Sequence, residues 1–177
     1  MVPKKMDEPN PCREQDLGKF EVLHRDGIAK LGRLHTAHGP LHTPALLPVI
    51  NPNIQTIKPR ELWDNWGIEG LITNSYIIWK HEKLSGPAQD LGVHKLLDFP
   101  GVIVCDSGTF QSYIYGDVEV GVEEIIEFQK SIGVDVATML DVFGRPDMTR
   151  QQMIEAVETT IERAEPSIIA AEGMMLN

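Results

Sequence analysis

The chain has 177 residues, of which 42% are hydrophobic and 24% are charged, and its formal net charge is −10. This length and apolar content are enough for one globular domain with a buried core, and they exclude a disordered chain. The negative charge argues against a segment that grips a phosphate backbone by electrostatics alone. Because the sequence has no apolar run near the roughly 20 residues of a membrane span and no secretory signal, it predicts a cytoplasmic protein.

The beginning of the chain predicts a lead-in followed by a small sheet. Residues 1–15 are polar and rich in proline, so we expect a loose segment there and the folded domain over residues 16–177. Three short extended segments come next, at residues 20–24, 30–36 and 41–43. The turn-forming stretches Asp26-Gly27 and His38-Gly39-Pro40 separate them. Together these segments predict a small antiparallel β-lid.

From Pro44 onward, apolar runs alternate with amphipathic segments about four times, which indicates an α/β fold. The runs are nearly continuous in apolar residues, as parallel strands covered on both faces are, and they lie at residues 45–50, 70–73, 102–105 and 134–140. Helices are predicted at residues 58–66, 88–97 and 122–131, and a fourth follows the capping box Thr149-x-x-Gln152. We expect Pro166 to kink or end that last helix.

Four βα units with a lid suit either a doubly wound sheet or the N-terminal part of a (β/α)8 TIM barrel, whose usual length is about 250 residues. If the barrel is correct, the length favours a fragment. Residues 173–177 also resemble the approach to a further strand.

Polar residues follow each predicted strand, where ligands bind in both architectures. They are Asn51-Pro52-Asn53, Asn74-Ser75-Tyr76, Asp106-Ser107-Gly108 and Asp141. Two carboxylates on neighbouring strand ends, Asp106 and Asp141, suit the edge of a flat heterocycle such as guanine, with Phe110 stacked on its face. Small residues after Asp106 would let that base come close. Each Asp taken singly is equally typical of a helix cap or a turn, and Phe110 taken singly is more typical of a core residue than of a stacking platform.

Metal and nucleotide motifs give no support for a cofactor site. His35, His38 and His42 have the spacing of a ligand set, but without acidic neighbours they indicate a polar surface, so we predict no metal site there. Cys12 and Cys105 are the only cysteines, which is too few for a disulfide framework or a complete zinc site. Neither G-x-G-x-x-G nor a Walker motif is present.

One motif has a specific resemblance. The run Asp106-Ser107-Gly108-Thr109-Phe110-Gln111 resembles the D-S-G-[GS]-F-Q signature of tRNA-guanine transglycosylases. Further stretches resemble the same family in the same order: TPALLPVINPNIQTIKP (43–59), LITNSYIIWK (71–80), LGVHKLLDFPGVIVCDSGTFQ (91–111) and VDVATMLDV (134–142). The resemblance covers nearly all of residues 20–177. The phrase PVINPN and Thr109 in place of glycine are closer to the archaeal, archaeosine branch than to the queuine type.

The resemblance implies a (β/α)8 barrel that breaks the N-glycosidic bond of a guanosine in the D-loop of tRNA. The ribose is retained as a covalent adduct, and 7-cyano-7-deazaguanine (preQ0) is installed. By position, Asp106 would be the catalytic acid/base. Among the substrate-binding residues, Ser107 would line the pocket, Phe110 would stack on the ring, Gln111 would contact the substrate, and Asp141 would recognise the guanine N1–H and amino group.

The resemblance also implies what lies outside this chain. In this family the nucleophilic Asp, a Gln-Gly segment and the zinc ligands, three Cys and one His, belong to the second half of the barrel. We therefore expect zinc in the full enzyme but no ligands for it here, and no transglycosylation by this chain alone. The expected partners are tRNA, a guanine or 7-deazaguanine base, and a complementary second-half polypeptide or a homo-oligomer, with no membrane.

Three origins stay open for such a chain: a separately encoded half, a product of gene truncation, or an expressed piece of a longer protein. Two other functions also stay open. In the first, the chain is a non-catalytic subunit that binds the base or a partner. In the second, it is a small α/β enzyme that uses Asp106 and Asp141 on another heterocycle. A fragment of a queuine-type enzyme is the alternative within the family.

Overall fold

The protein, described by a computed structural model over residues 6–111 and 120–177, is a mixed α/β fold with two sheets. A three-stranded sheet comes first in the chain, and a four-stranded sheet with helices follows it. Among the described residues, no helix combines the length and the apolar character needed to cross a membrane.

The first sheet confirms the predicted antiparallel β-lid. Its strands are β1 (Phe20–Asp26), β2 (Ala29–Thr36) and β3 (Gly39–Thr43), paired in chain order. The first turn uses Gly27 at φ +57°, a left-handed conformation that glycine adopts without strain. The second turn was predicted one residue too late, since Gly39 and Pro40 already pair with β2. All seven residues of β1 are exposed.

The described part of the lead-in makes contacts with the rest of the fold. The Glu8 carboxylate lies 2.7 Å from the Arg60 guanidinium, and the Cys12 N–H donates to the Thr36 carbonyl at 3.3 Å. A short 3₁₀ turn, Glu14–Asp16, leads into β1. Residues 6–15 are therefore fastened both to the lid and to the first helix.

The second sheet is parallel, and its strands follow one another in chain order: β4 (Gly70–Asn74), β5 (Val102–Asp106), β6 (Val136–Ala137) and β7 (Met175–Leu176). The prediction of a parallel βα series is confirmed, as is the approach to a further strand near residue 175. The strand predicted at residues 134–140 is wrong in length, because only two of its residues are in a strand.

The strand predicted at residues 45–50 is reduced to a single parallel bridge between Val49 and Ile72. The Ile72 N–H donates to the Pro48 carbonyl at 3.0 Å, and the Ile50 N–H donates to the Ile72 carbonyl at 2.8 Å. Pro44 and Pro48 have no N–H to donate to a ladder, so the pairing does not extend towards the beginning of the segment.

The helices are α1 (Pro59–Trp66), α2 (Ser75–Lys80), α3 (Glu82–Leu91), α4 (Val93–Leu97), α5 (Val122–Ser131) and α6 (Arg150–Ala170). The single helix predicted over residues 88–97 is wrong, because Gly92 at φ +85° separates α3 from α4. Pro166 does not end α6 either. The carbonyl that loses its donor is that of Glu162, an exposed residue whose carbonyl water can solvate.

The core lies between the parallel sheet and the helices. Leu71, Ile103 and Cys105 on β4 and β5 are fully buried, and Ile78 of α2 and Ile132 after α5 pack in the same cluster. Because both strands are buried along almost their whole length, their nearly continuous apolar sequence is explained.

A buried carboxylate joins the lid to the parallel sheet. The two oxygens of Asp135 accept the backbone N–H groups of His38 and Ile103 at 3.1 and 2.9 Å, and ring nitrogens of His38 and His94 lie 3.0 Å away. Burial raises the pKa of Asp135, but the hydrogen bonds from the two histidines outweigh it and hold the pKa well below its ordinary value. Asp135 is therefore an ionised, fully bonded anchor.

The two cysteines provide a direct test of this core. Burial raises the pKa of the Cys105 thiol, whereas Cys12 is partly exposed. Since the thiolate is the reactive form, we expect Cys12 to react rapidly with Ellman's reagent and Cys105 to react only in denaturant. Time courses of the wild type and of Cys12→Ser measure this. Rapid labelling of Cys105 in native Cys12→Ser would contradict the burial of β5.

Candidate active site

The register of the parallel sheet brings the candidate catalytic residue next to an amide. In the β4–β5 ladder the last pair is Asn74 with Asp106. The Asn74 Nδ2 donates to Asp106 Oδ2 at 3.0 Å, and the Gly108 N–H makes a longer contact of 3.4 Å with Asp106 Oδ1. The side chain of Asp106 is only partly buried. Asp106 is thus held at the strand end while it keeps access to solvent.

Asn74 does more than hold Asp106. Its Oδ1 accepts the Ile77 N–H at 2.9 Å and so caps α2, while Nδ2 also donates to Gln111 Oε1 at 2.7 Å. An amide NH₂ has two donors and its oxygen accepts, so all three functions are compatible with one side chain. The amide fixes the start of a helix and two of the predicted site residues at once.

The segment after β5 is also hydrogen-bonded to the residue that follows β6. The Ser107 N–H donates to Thr138 Oγ1 at 2.7 Å, and that hydroxyl donates to the Cys105 carbonyl at 2.9 Å. The side chain of Gln129 on α5 pairs with the backbone of Thr138 through two bonds of 3.0 Å. Gln129 is fully buried and Ser107 is 2% exposed. The backbone beneath the site is therefore rigidly positioned.

The two remaining candidates are Asp141 and Phe110. Thr109 Oγ1 donates to the Asp141 carbonyl at 3.1 Å, and Arg163 donates to the same carbonyl at 3.1 Å. The ring of Phe110 is 53% exposed, with its centroid 5.8 Å from that of Phe143. No hydrogen bond to the Asp141 carboxylate is found among residues 6–111 and 120–177. Backbone contacts therefore fix Asp141 and leave its acidic group available.

The structure explains why the motif has glycine at position 108. Gly108 has φ +95°, and a Cβ on it would overlap the Cβ of Tyr76 and lie 3.1 Å from that residue's Cγ. No side chain is tolerated there without moving α2, whatever ligand is bound. The contact with Tyr76 is thus sufficient to require glycine, independently of the predicted approach of a base.

The structure brings Asp106, Ser107 and Gln111 together around one strand end and links Asp141 to them through Thr109. The bonding roles of Asn74, Gln129 and Thr138 are not predicted by the sequence patterns. Asn74 had a signal, because it follows a predicted strand. The buried amide of Gln129 had none, because its position within an amphipathic helix is that of an ordinary polar residue.

The three lid histidines do not converge on one point. His35 Nε2 lies 3.5 Å from Glu21, and His42 Nδ1 lies 3.0 Å from Glu69. His38 instead bonds Asp135, at the beginning of the parallel sheet. Each histidine thus has its own carboxylate, which comes from β1 for His35 and from outside the lid for His38 and His42.

Comparison with known proteins identifies a family to which the chain is similar. The family model described as queuine tRNA-ribosyltransferase matches residues 26–175. A relative in Methanopyrus kandleri, called tRNA-guanine(15) transglycosylase, is 51% identical over 149 residues, which is 84% of this chain and 32% of the relative. Relatives with the same name in Methanothermobacter thermautotrophicus and Pyrococcus abyssi are 48% and 44% identical and cover 89% and 82% of this chain. The chain spans between 24% and 32% of the length of these three.

We expect Gly108→Ala to destabilise the fold by about 2–4 kcal/mol, because it adds steric overlap with Tyr76 to the cost of a left-handed alanine. Gly133→Ala is the matched control: Gly133 has φ +70° and open space around its Cβ position, so only the conformational cost of about 1–2 kcal/mol applies. Urea denaturation followed by circular dichroism measures both. Equal losses would contradict the contact with Tyr76.

The two roles of Asn74 can be separated by a pair of substitutions. Asn74→Ser keeps a helix-capping oxygen but removes the amide NH₂ that donates to Asp106 and Gln111, whereas Asn74→Ala removes both the oxygen and the NH₂. We expect a loss of about 1 kcal/mol more for alanine than for serine, measured as the difference in the free energy of unfolding. If the two variants are equally stable, the side chain of Asn74 does not stabilise α2.

Proposed function

The chain belongs to the queuine tRNA-ribosyltransferase family, and from this premise we propose that it is part of a tRNA-guanine transglycosylase. The complete enzyme exchanges a guanine in the D-loop of tRNA for 7-cyano-7-deazaguanine, the archaeosine precursor. The observation that supports this proposal most strongly is the placement of Asp106. Its carboxylate is partly exposed and is held by Asn74 at the end of a buried parallel strand. A tRNA substrate also favours the cytoplasm as the place of action.

The proposed architecture is the N-terminal part of a (β/α)8 barrel, over residues 16–177. Barrel strands are parallel and neighbour one another in chain order, and substrates bind at their C-terminal ends. The order β4–β5–β6–β7 and the bridge of Val49 to β4 agree with this arrangement. In the proposed barrel, residues 48–50 belong to the first strand and β7 to the fifth.

In the proposed site, the described residues handle the base. Asp106 is the acid/base group, which takes the proton from the incoming deazaguanine when its ring nitrogen bonds to ribose. Asp141 accepts the N1–H and the amino group of the base through its carboxylate, and the exposed ring of Phe110 stacks on the heterocycle. Ser107 and Gln111 complete the pocket wall on either side of Asp106.

The remaining chemistry is proposed to come from polypeptide outside this chain. Attack on the ribose needs a second carboxylate as nucleophile, and the zinc expected for the complete enzyme needs three Cys and one His. The described cysteines do not fit that zinc site, because Cys105 is buried in β5 and Cys12 lies in the lead-in. The formal charge of −10 likewise favours a grip on tRNA that comes from other domains.

Exposed apolar side chains support a complementary second half as the partner. On α6, Val157 and Ile161 are 56% and 66% exposed, and at the opposite edge of the sheet Leu46 and Val49 are 74% and 80% exposed. Large apolar side chains grouped at both edges are typical of surfaces that pack against further structure. In a closed barrel both edges meet the same second half.

The test is the exchange of radiolabelled guanine into tRNA. The 177-residue chain is assayed alone and mixed with a polypeptide that supplies the rest of the Methanopyrus kandleri relative. We expect exchange only in the mixture, about 100-fold or more slower with Asp106→Asn because acid/base catalysis is lost. Asp141→Asn should raise KM for guanine, and Asp26→Asn in the lid hairpin is the control that should change nothing.

Other results of the exchange assay would contradict specific parts of the proposal. Exchange by the chain alone would contradict the proposal that the nucleophile lies elsewhere. If the mixture forms a complex but does not exchange guanine, the alternative of a non-catalytic base- or partner-binding subunit is favoured. Full activity of Asp106→Asn would remove Asp106 from the chemistry.

A further inference from the structure

A second cluster of titratable side chains lies at the other end of the parallel sheet. His38 lies in the turn between β2 and β3, and His94 lies in α4. Asp135 is the residue immediately before β6. Asp106 follows the end of its strand, whereas Asp135 precedes the beginning of the neighbouring one. The cluster is therefore separate from the candidate active site, and a ligand bound to it would not depend on the proposed function.

The ligand atoms of the cluster converge closely. His38 Nδ1 lies 3.0 Å from Asp135 Oδ1, His94 Nε2 lies 3.0 Å from Asp135 Oδ2, and all three groups offer atoms within 4.8 Å of one another. The two imidazole rings are stacked, with centroids 3.4 Å apart and planes 17° apart. Both rings thus present a nitrogen to the same carboxylate from the same side.

The chemistry of the cluster suits a divalent cation. Neutral imidazole and carboxylate are ligands that Zn²⁺ prefers, and backbone N–H groups of His38 and Ile103 orient the carboxylate as supporting bonds do in metal sites. Zinc bonds of about 2.0–2.1 Å in a tetrahedron give ligand separations of roughly 3.3 Å, close to those between the ring nitrogens and Asp135.

We propose that His38 Nδ1, His94 Nε2 and the carboxylate of Asp135 bind one zinc-like divalent cation that joins the lid to the parallel sheet. A neutral ring moves its proton to the other ring nitrogen when the ion binds, and a charged ring releases one proton to solvent. The His38 side chain is 39% exposed, which gives the ion a route from solvent and leaves a position for water. The ion tethers the hairpin of β2 and β3 to α4 and β6.

The test is Zn²⁺ titration of the full 177-residue chain by calorimetry, with thermal unfolding as a second readout. We expect one ion per chain and a higher Tm in the presence of Zn²⁺, because an ion that binds only the folded state stabilises it. The absorption spectrum with Co²⁺ should show nitrogen and oxygen ligation without thiolate bands. No cysteine is needed, so Cys12→Ser should bind equally.

Variants locate the site. His94→Gln and His38→Gln should each weaken Zn²⁺ binding about tenfold or more, because each removes a ligand. His42→Gln is the matched control, since His42 is also a lid histidine paired with a carboxylate, that of Glu69. His38→Gln is the milder substitution because the His38 side chain is half-exposed. This variant therefore keeps the test valid if His94→Gln does not fold.

Two results would overturn the proposal: no Zn²⁺ uptake by the folded wild-type chain, or uptake that neither His38→Gln nor His94→Gln weakens. In the first case the cluster is a hydrogen-bonded anchor only. None of these measurements uses transglycosylation, so failure of this inference and failure of the proposed function are distinguishable.

Discussion

The parallel register of β4 and β5 is the constraint on which the candidate site depends. Five residue pairs align from Gly70 with Val102 to Asn74 with Asp106. A slip of one residue would turn each apolar side chain to the other face of the sheet and would part Asn74 from Asp106. The burial of both strands opposes such a slip, so the hydrophobic core and the polar site are specified by the same pairing.

Two carboxylates at opposite ends of this sheet have opposite surroundings. A carboxylate has about four acceptor positions, and Asp135 has four described nitrogen neighbours within 3.1 Å. Asp106 has one good donor, the Asn74 amide, and one long contact with Gly108 N–H. The side chain of Asp135 is fully buried, whereas Asp106 is partly exposed. The first is suited to joining the lid to the sheet, either directly or through an ion held between it and the two histidines, and the second retains acceptor capacity for a substrate.

The elements that the sequence predicts well are those with strong local signals. The capping box at Thr149 and the acidic first turn of Val122–Ser131 fix two helix starts within a few residues, and local chemistry decides both. The failures come from competing effects: Pro48 limits the pairing of the strand predicted at residues 45–50, and Gly92 divides a predicted helix. An apolar run alone does not report either effect.

The polar networks were beyond prediction for a different reason. His38 and Asp135 are 97 positions apart, and His94 is 41 positions from Asp135. Neither separation forms a motif, because the first contact arises only when the lid packs on the parallel sheet and the second only when α4 packs beside the beginning of β6. The strand-end residues were predictable, since the ends of neighbouring parallel strands meet at one edge in any α/β sheet. Their supporting bonds from Gln129 and Thr138 required the packed structure.

The distribution of buried residues bears on how the proposed enzyme assembles. Of the 21 residues in α6, only Ala156 and Ser167 are buried, so packing within this chain stabilises that helix weakly. In contrast, the hydrogen bonds of Asn74, Thr138 and Gln129 all join residues of this chain. In the proposed barrel, the second half would then order the outer helix and supply the nucleophile, while the side of the pocket that handles the base is already fixed. Assembly would therefore join a preformed base pocket to its ribose-attacking group, and the geometry around Asp106 would not depend on the partner.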